Sequence, residues 1–143
     1  MTTSEMASTG SATPTLGAIT HVALTVSDLR ASVDWYRNII GADPVLDEDT
    51  GPFHHVVFAL GDTLLGLHTH PEPIDGPAFD PRRPGLDHLA FGVADRAALE
   101  VWKQRLDDLG VDVDVIKDAH YGSGLSFKDP DGLALELFCP PAG

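Results

Sequence analysis

The fold is decided by a stretch of sequence that the chain contains twice. Residues 20–35 read THVALTVSDLRASVDW, and residues 87–102 read DHLAFGVADRAALEVW. The residues that recur at the same spacing include a histidine, an aspartate and a tryptophan. The identical pairs are His21 and His88, Ala23 and Ala90, Val26 and Val93, Asp28 and Asp95, Ala31 and Ala98, and Trp35 and Trp102. A repeat of this kind indicates two copies of one structural unit.

Each copy predicts a strand that leads into a capped helix. In the first copy, residues 19–26 alternate apolar with small or polar side chains, as a strand with one covered face does. Asp28 lies where a helix N-cap belongs, and apolar residues then recur at helical spacing until Gly41. The second copy repeats this plan from residues 86–93 to Gly110. Trp35 and its counterpart Trp102 are expected in the core or at an interface.

Three further strands are predicted after each helix. Glycine-containing turns at 61–62 and 129–132 separate some of them. Residues 71–84 contain five prolines and are predicted to be a linker. The predicted strands are residues 43–47, 53–60 and 63–69 in the first copy, and 111–116, 124–128 and 133–138 in the second. The sequence therefore predicts an α+β fold of two tandem βαβββ modules, at about residues 18–70 and 85–140.

Composition narrows the classes of function. The chain has 143 residues, of which 43 % are hydrophobic, so one domain over residues 17–143 is expected after a disordered tail at 1–16. The net charge of −13 without a basic cluster argues against nucleic acid and anionic membranes as partners. Cys139 is the single cysteine, and no signal sequence or transmembrane segment is visible, so a cytoplasmic location is expected.

Three side chains on the small-residue faces of the predicted strands form a candidate metal site. His21 and His88 are each followed by small residues on their own face of the strand, and Glu136 is the single charge in LALELF. Two histidines and one carboxylate leave coordination positions open on Fe(II), Mn(II) or a similar ion. Alternatively, the histidines bond to backbone groups and the glutamate pairs with an arginine.

The comparison of the two modules also reveals a gap. Aligning GDTLLGL with DGLALEL places Gly66 opposite Glu136, so the first module lacks the carboxylate of the second. His68 lies on the same predicted face, two residues further on, and either substitutes for this missing ligand or belongs to a solvated strand end.

These segments resemble the vicinal oxygen chelate superfamily, which includes glyoxalases, bleomycin resistance proteins and extradiol dioxygenases. The segments that carry the resemblance are ITHVALTVSDLRASVDWYRNIIGADP, LDHLAFGVADRAALEVWKQRLDDLGV and FKDPDGLALELF. The resemblance implies two βαβββ modules whose mixed sheets curl around a central crevice, usually in a homodimer. It also implies that His21, His88 and Glu136 are metal ligands, within one chain or across two.

The resemblance favours a divalent-metal-dependent enzyme that chelates adjacent oxygens of a small molecule, with ring-cleaving dioxygenase chemistry and Fe(II) ahead of Mn(II), Ni(II) or Zn(II). Gly66 departs from the four-ligand pattern of glyoxalases and epimerases, and the absence of arginine beyond the final strand departs from fosfomycin transferases. The expected acid–base residues are His120 and Tyr121, and the expected substrate contacts are His55, His68 and Ser126. Ser126 stands where the ring-cleaving enzymes usually have tyrosine. The alternative is a metal-free bleomycin-resistance-type binding protein, which the acidity of the chain also suits.

Overall fold

A computed structural model describes residues 13–142, which form two helices and two four-stranded sheets. Most of the predicted disordered tail, residues 1–12, lies outside the described residues. The elements of the first module are β1 (His21–Thr25), α1 (Leu29–Ile40), β2 (Leu46–Asp49), β3 (His54–Leu60) and β4 (Thr63–Thr69). Those of the second are β5 (Leu89–Gly92), α2 (Arg96–Asp108), β6 (Lys117–Ala119), β7 (Gly122–Lys128) and β8 (Ala134–Cys139).

Both helices begin at the aspartate predicted from the repeat. The Asp28 side chain accepts a hydrogen bond from the backbone N–H of Ala31 at 3.1 Å, and Asp95 accepts one from Ala98 at 2.8 Å. Each bond satisfies a backbone donor that the first helical turn leaves without a partner. Gly41 ends α1 with φ of 77°, a left-handed conformation that favours glycine.

The two sheets have the same topology. The first has the strand order β1-β4-β3-β2 and the second the order β5-β8-β7-β6. In each, the first strand of the module pairs in parallel with the last, and the other pairs are antiparallel. β1 and β5 are therefore edge strands, and residues of β1, β4 and β5 line a cleft of about 430 Å³. This arrangement confirms the tandem βαβββ fold.

The bulky faces of both sheets contribute to a single hydrophobic core with the two helices. Phe58, Leu65, Leu67, Leu125 and Leu135 are among its most buried members. Both tryptophans are partly buried against this core, as the repeat predicts. The opposite face of β1 and β5 carries the small residues and is exposed, so the predicted division of the strands into a bulky and a small face is confirmed.

One predicted strand is wrong. Residues 111–116 form only an isolated bridge between Val113 and Phe127, and the edge strand β6 comes later. The backbone N–H of Val111 bonds to the carbonyl of Leu106 at 2.9 Å, which ties the start of this segment to the end of α2. The tight turn at 120–121 instead sets the pairing of β6 with β7. Alternation of valine and aspartate indicates a half-exposed segment, but it does not determine which strand that segment pairs with.

The proline-rich segment contains no helix or strand: none of residues 71–84 is assigned to either. No helix among residues 13–142 has the length and apolar character needed to cross a membrane.

Candidate metal centre

The second sheet brings two of the predicted ligands together. Nε2 of His88 lies 3.5 Å from Oε1 of Glu136. Bonds of about 2.0–2.2 Å to a divalent ion would place two neighbouring ligand atoms roughly 3.0–3.5 Å apart. A Cβ atom on Gly124 would lie 3.0 Å from Cδ of Glu136 and closer still to Oε2. The glycine therefore leaves the space that the carboxylate occupies.

Asp87 determines which nitrogen of His88 faces the glutamate with a free electron pair. Its Oδ1 lies 2.7 Å from Nδ1 of His88, and a carboxylate only accepts hydrogen bonds. In the neutral imidazole, Nδ1 therefore donates its hydrogen to Asp87, and Nε2 turns a lone pair towards Glu136. Two groups with lone pairs then face each other, an arrangement that a cation held between them stabilises. These residues fit a divalent ion held by Nε2 and the carboxylate.

His21 occupies the corresponding position on the first sheet. Its Nδ1 lies 2.9 Å from the hydroxyl of Thr20, as Nδ1 of His88 lies beside the residue that precedes it. The side chain is exposed on the small-residue face of β1. Within residues 13–142, however, no three metal-ligating side chains converge. One chain thus pairs His88 with Glu136 but does not bring His21 to them.

Aromatic and histidine rings cluster on the same face of the first sheet. Phe53 stacks on His68 with 4.8 Å between ring centroids and 16° between planes, and His55 meets His68 edge-on at 5.2 Å. Nε2 of His55 lies 3.3 Å from a carboxylate oxygen of Glu48. Burial, followed by the charges of neighbouring histidines including His55 and His21, lowers the pKa of His68. The cluster therefore favours the neutral form of this imidazole.

The strand registers verify that Gly66 is the counterpart of Glu136. Gly66 pairs with Ala23 of β1, and Glu136 pairs with Ala90 of β5. Since the two alanines are equivalent in the repeat, the first sheet has a glycine where the second has its carboxylate.

The remaining predicted residues are spread along the face of the second sheet. Ser126 pairs with Glu136 in the β7–β8 register, so the two share that face. Tyr121 is 65 % exposed in the turn before β7, and its ring stacks on that of Phe138 at 6.4 Å. His120 contacts Tyr121 edge-on at 5.2 Å. His120 and Tyr121 therefore lie beyond Phe138, at one end of the face that carries Glu136.

A family model described as the Glyoxalase/Bleomycin resistance protein/Dioxygenase superfamily matches residues 18–137. The chain belongs to this superfamily. The match covers both modules, including His21, His88 and Glu136.

Relatives of this superfamily member include several enzymes. This chain is 30 % identical over 122 residues to a metallothiol transferase FosB from Staphylococcus saprophyticus. The alignment covers 84 % of this chain and 75 % of the relative. The chain is 33 % identical over 134 residues to human mitochondrial methylmalonyl-CoA epimerase, with 85 % and 73 % covered. A crystal structure of a glyoxylase/bleomycin resistance protein/dioxygenase domain from Frankia sp. EAN1pec matches with a TM-score of 0.80 and 32 % identity, over 90 % of this chain and 96 % of that one.

Sequence reasoning missed three residues that the structure places beside the candidate ligands of this superfamily member. Thr20 and Asp87 each contact Nδ1 of the histidine that follows them, and Gly124 leaves room for Glu136. The first two carried a signal, namely a polar residue before the histidine in both copies of the repeat. Gly124 carried none, because its role depends on strand register.

Proposed function

We propose that this protein is a divalent-metal-dependent enzyme that binds a small molecule through two adjacent oxygen atoms. The observation that carries the proposal is the pair formed by His88 and Glu136, whose facing ligand atoms lie 3.5 Å apart. His21 is the third ligand. Three protein ligands leave positions open for a chelating substrate, whereas a structural site is normally closed by four.

The proposal places the complete centre between two copies of the chain in a homodimer. His21 does not reach His88 and Glu136 within one chain, although all three lie on the corresponding faces of their sheets. β1 and β5 are the edge strands of their sheets, so neither has a strand partner on its outer side within the described residues. In a two-fold dimer, His21 of each copy would then complete the site of the other, and two equivalent centres would form.

The other side chains have roles that follow from their positions. Ser126, beside Glu136, would orient the substrate, and His55 and His68 would contact it from the first sheet. His120 and Tyr121, at the end of the face, would transfer protons to or from the substrate. When bound, a divalent ion polarises oxygens that it chelates, and Fe(II), the favoured ion ahead of Mn(II), Ni(II) or Zn(II), also supports redox chemistry with dioxygen.

Oxidative ring cleavage of a catechol is the first reaction class that we propose. A catecholate has two adjacent oxygens, and the set of two histidines and one glutamate leaves positions for both and for dioxygen. The proposed proton-transfer residues lie at the end of the face that carries Glu136, which suits a reaction in which charge develops during oxygen attack.

Nucleophilic transfer to an activated small molecule is the second candidate. Its support is the 30 % identity to a protein named as a metallothiol transferase. Such an enzyme would use its metal as a Lewis acid without consuming oxygen.

Metal content is the measurement that tests the proposal. Wild-type protein and the His88→Ala and His54→Ala variants would be freed of metal, incubated anaerobically with Fe(II), Mn(II) or Zn(II), desalted and analysed for metal. His54 is the matched control because it lies on β3 but pairs with Asp47. We expect near-stoichiometric metal in the wild type and in His54→Ala, and a loss in His88→Ala. A wild type that retains no metal would favour the bleomycin-resistance-type binding protein instead.

Activity assays on the metal-loaded protein then distinguish the two reaction classes. Oxygen uptake with a panel of catechols would support ring cleavage, and consumption of a thiol with an epoxide would support transfer. Each activity should disappear in His88→Ala and persist in His54→Ala.

A further inference from the structure

The position of Gly66 leaves a gap on the first sheet. It pairs with Ala23 as Glu136 pairs with Ala90, so the second module places a carboxylate at the point where the first has no side chain. His21 lies two residues before Ala23 on the same face of β1. The gap is therefore on the face that carries the first module's metal ligand.

The ring of His68 lies over this gap. A Cβ atom on Gly66 would be 3.3 Å from Nε2 and 3.5 Å from Cδ2 of His68. Although His68 is two residues further along β4, its imidazole leans back, so that Nε2 lies within contact distance of the point where the side chain of residue 66 would begin. Stacking on Phe53 at 4.8 Å and the edge contact with His55 at 5.2 Å hold the ring in this orientation.

The nitrogens of His68 are also available. The histidines whose side chains form hydrogen bonds within the described part of the chain are His21, His54, His55 and His88. His68 is not one of them. Its imidazole therefore has a nitrogen available to bind a metal ion. The neighbouring rings of Phe53 and His55 orient it so that Nε2 points towards the position of residue 66.

We infer that His68 replaces the carboxylate missing at Gly66 and is a fourth ligand of the metal centre. The inference rests on the proposed function, and it gives the site three imidazoles and one carboxylate. On a six-coordinate ion these four ligands leave two positions, which suffice for both oxygens of a chelating substrate. The fourth ligand therefore favours the transfer class over ring cleavage, which needs a third position for dioxygen. Such a set favours Fe(II), Co(II), Ni(II) or Zn(II) over Mn(II) and Mg(II), because imidazole suits the former ions and carboxylate the latter. His68 then acts as a ligand of the ion, and not primarily as a contact of the substrate.

Cobalt binding by the full-length protein tests the inference without an activity assay. Metal-free protein would be titrated with Co(II), with the dissociation constant measured against a competing chelator and the ligand field read from the visible absorption bands. Alanine at His68 should weaken binding by at least roughly 10- to 100-fold, the range typical for loss of even an outer partner of a ligand. It should also shift the bands, because the ion loses a nitrogen ligand. His54→Ala should behave as the wild type.

Two further variants address Gly66 itself. Gly66→Ala keeps His68 but introduces a Cβ atom 3.3 Å from its Nε2, so it should also weaken cobalt binding. The double variant Gly66→Glu/His68→Ala restores a carboxylate at the register position of Glu136. It should regain affinity over His68→Ala, with bands that differ from those of the wild type and a relative gain for Mn(II).

The outcomes separate this inference from the proposed function. If His88→Ala loses cobalt while His68→Ala and Gly66→Ala bind it with the wild-type constant and spectrum, the fourth ligand is disproved and the three-ligand centre stands. If His88→Ala also binds cobalt as the wild type does, both proposals fail. A purely structural role for His68 would lower the melting temperature without changing the absorption bands.

Discussion

At the scale of single residues, the candidate centre depends on groups that orient the ligands. The Nε2 lone pair of His88 can face Glu136 because Nδ1, the other ring nitrogen, donates its hydrogen bond to Asp87. Glu136 can lie flat against β7 because residue 124 has no side chain. These neighbours contribute no ligand atom, but each one fixes where a ligand atom lies.

Asp87→Asn should weaken metal binding roughly 10- to 100-fold, the range typical for loss of a ligand's outer partner. An amide can donate to Nδ1 as well as accept from it, so the substitution no longer selects the tautomer whose Nε2 is free. Isothermal titration with Zn(II) measures the change. Asp62→Asn, in the β3–β4 turn, is the control. Equal affinities in Asp87→Asn and the wild type would contradict this role.

Gly124→Ala should also reduce metal affinity, by a similar factor, because the added Cβ atom displaces the carboxylate of Glu136. Gly92→Ala is the matched control, since it lies in the same sheet and a Cβ there would meet nothing within 4 Å. The same titration compares the two variants. Loss of affinity in both would indicate a general disturbance of the sheet, which would refute the specific contact.

At the scale of elements, α1 of the first module is joined to the second module through a buried polar contact. The hydroxyl of Tyr36 donates to Oδ2 of Asp129 at 2.7 Å, and both residues are buried. Oδ1 of Asp129 accepts from the backbone N–H groups of Asp131 and Leu133, which shapes the β7–β8 turn. Burial, and then the charge of Asp129, raise the pKa of Tyr36, so the hydroxyl remains a donor.

Tyr36→Phe should lower the free energy of unfolding by about 1–3 kcal/mol, since it leaves a buried carboxylate oxygen without its donor. Urea denaturation followed by circular dichroism measures the change. Tyr121→Phe is the control, because Tyr121 is 65 % exposed and should stay within about 0.5 kcal/mol of the wild type. A Tyr36→Phe variant as stable as the wild type would show that the contact does not contribute.

The bounds of a helix or strand can be predicted from the sequence where neighbouring residues determine them. The aspartate caps and Gly41 fixed the beginnings of both helices and the end of α1, and β4 was predicted to the residue. The boundaries of the edge strands were less accurate: β2 begins at Leu46, and β6 at Lys117 instead of near residue 111. An edge strand forms few cross-strand contacts, so its extent depends on the neighbouring strand and on the turn between them.

At the scale of the whole molecule, the decisive property is that one chain exposes two separate, incomplete sets of candidate ligands. His21, with His68 over the gap at Gly66, lies on the first sheet, and His88 with Glu136 lies on the second. No three ligating side chains meet among residues 13–142. The activity of the protein should therefore depend on its assembly.

Mixing the variants His21→Ala and His88→Ala tests this dependence. Each variant alone should bind no metal at the centre. If His21 of one copy completes the site of the other, mixed dimers contain one intact centre, and metal should return to about a quarter of the wild-type amount after random exchange. Elemental analysis of the mixture measures the metal content. Mixed dimers that are co-expressed and selected by affinity serve as a check. If selected mixed dimers hold no metal although the wild type does, the site does not cross between copies.

The sequence by itself determined the repeated module, both helix starts, the small-residue faces, the ligands His21, His88 and Glu136 as candidates, and the gap at Gly66. All of these follow from local rules, namely strand alternation, helix capping and the comparison of one module with the other. The tertiary structure alone decided that His88 faces Glu136, that the ring of His68 covers Gly66, and that His21 stands apart from the pair within one chain. Strand register and ring orientation depend on contacts between distant residues, and no local pattern encodes them.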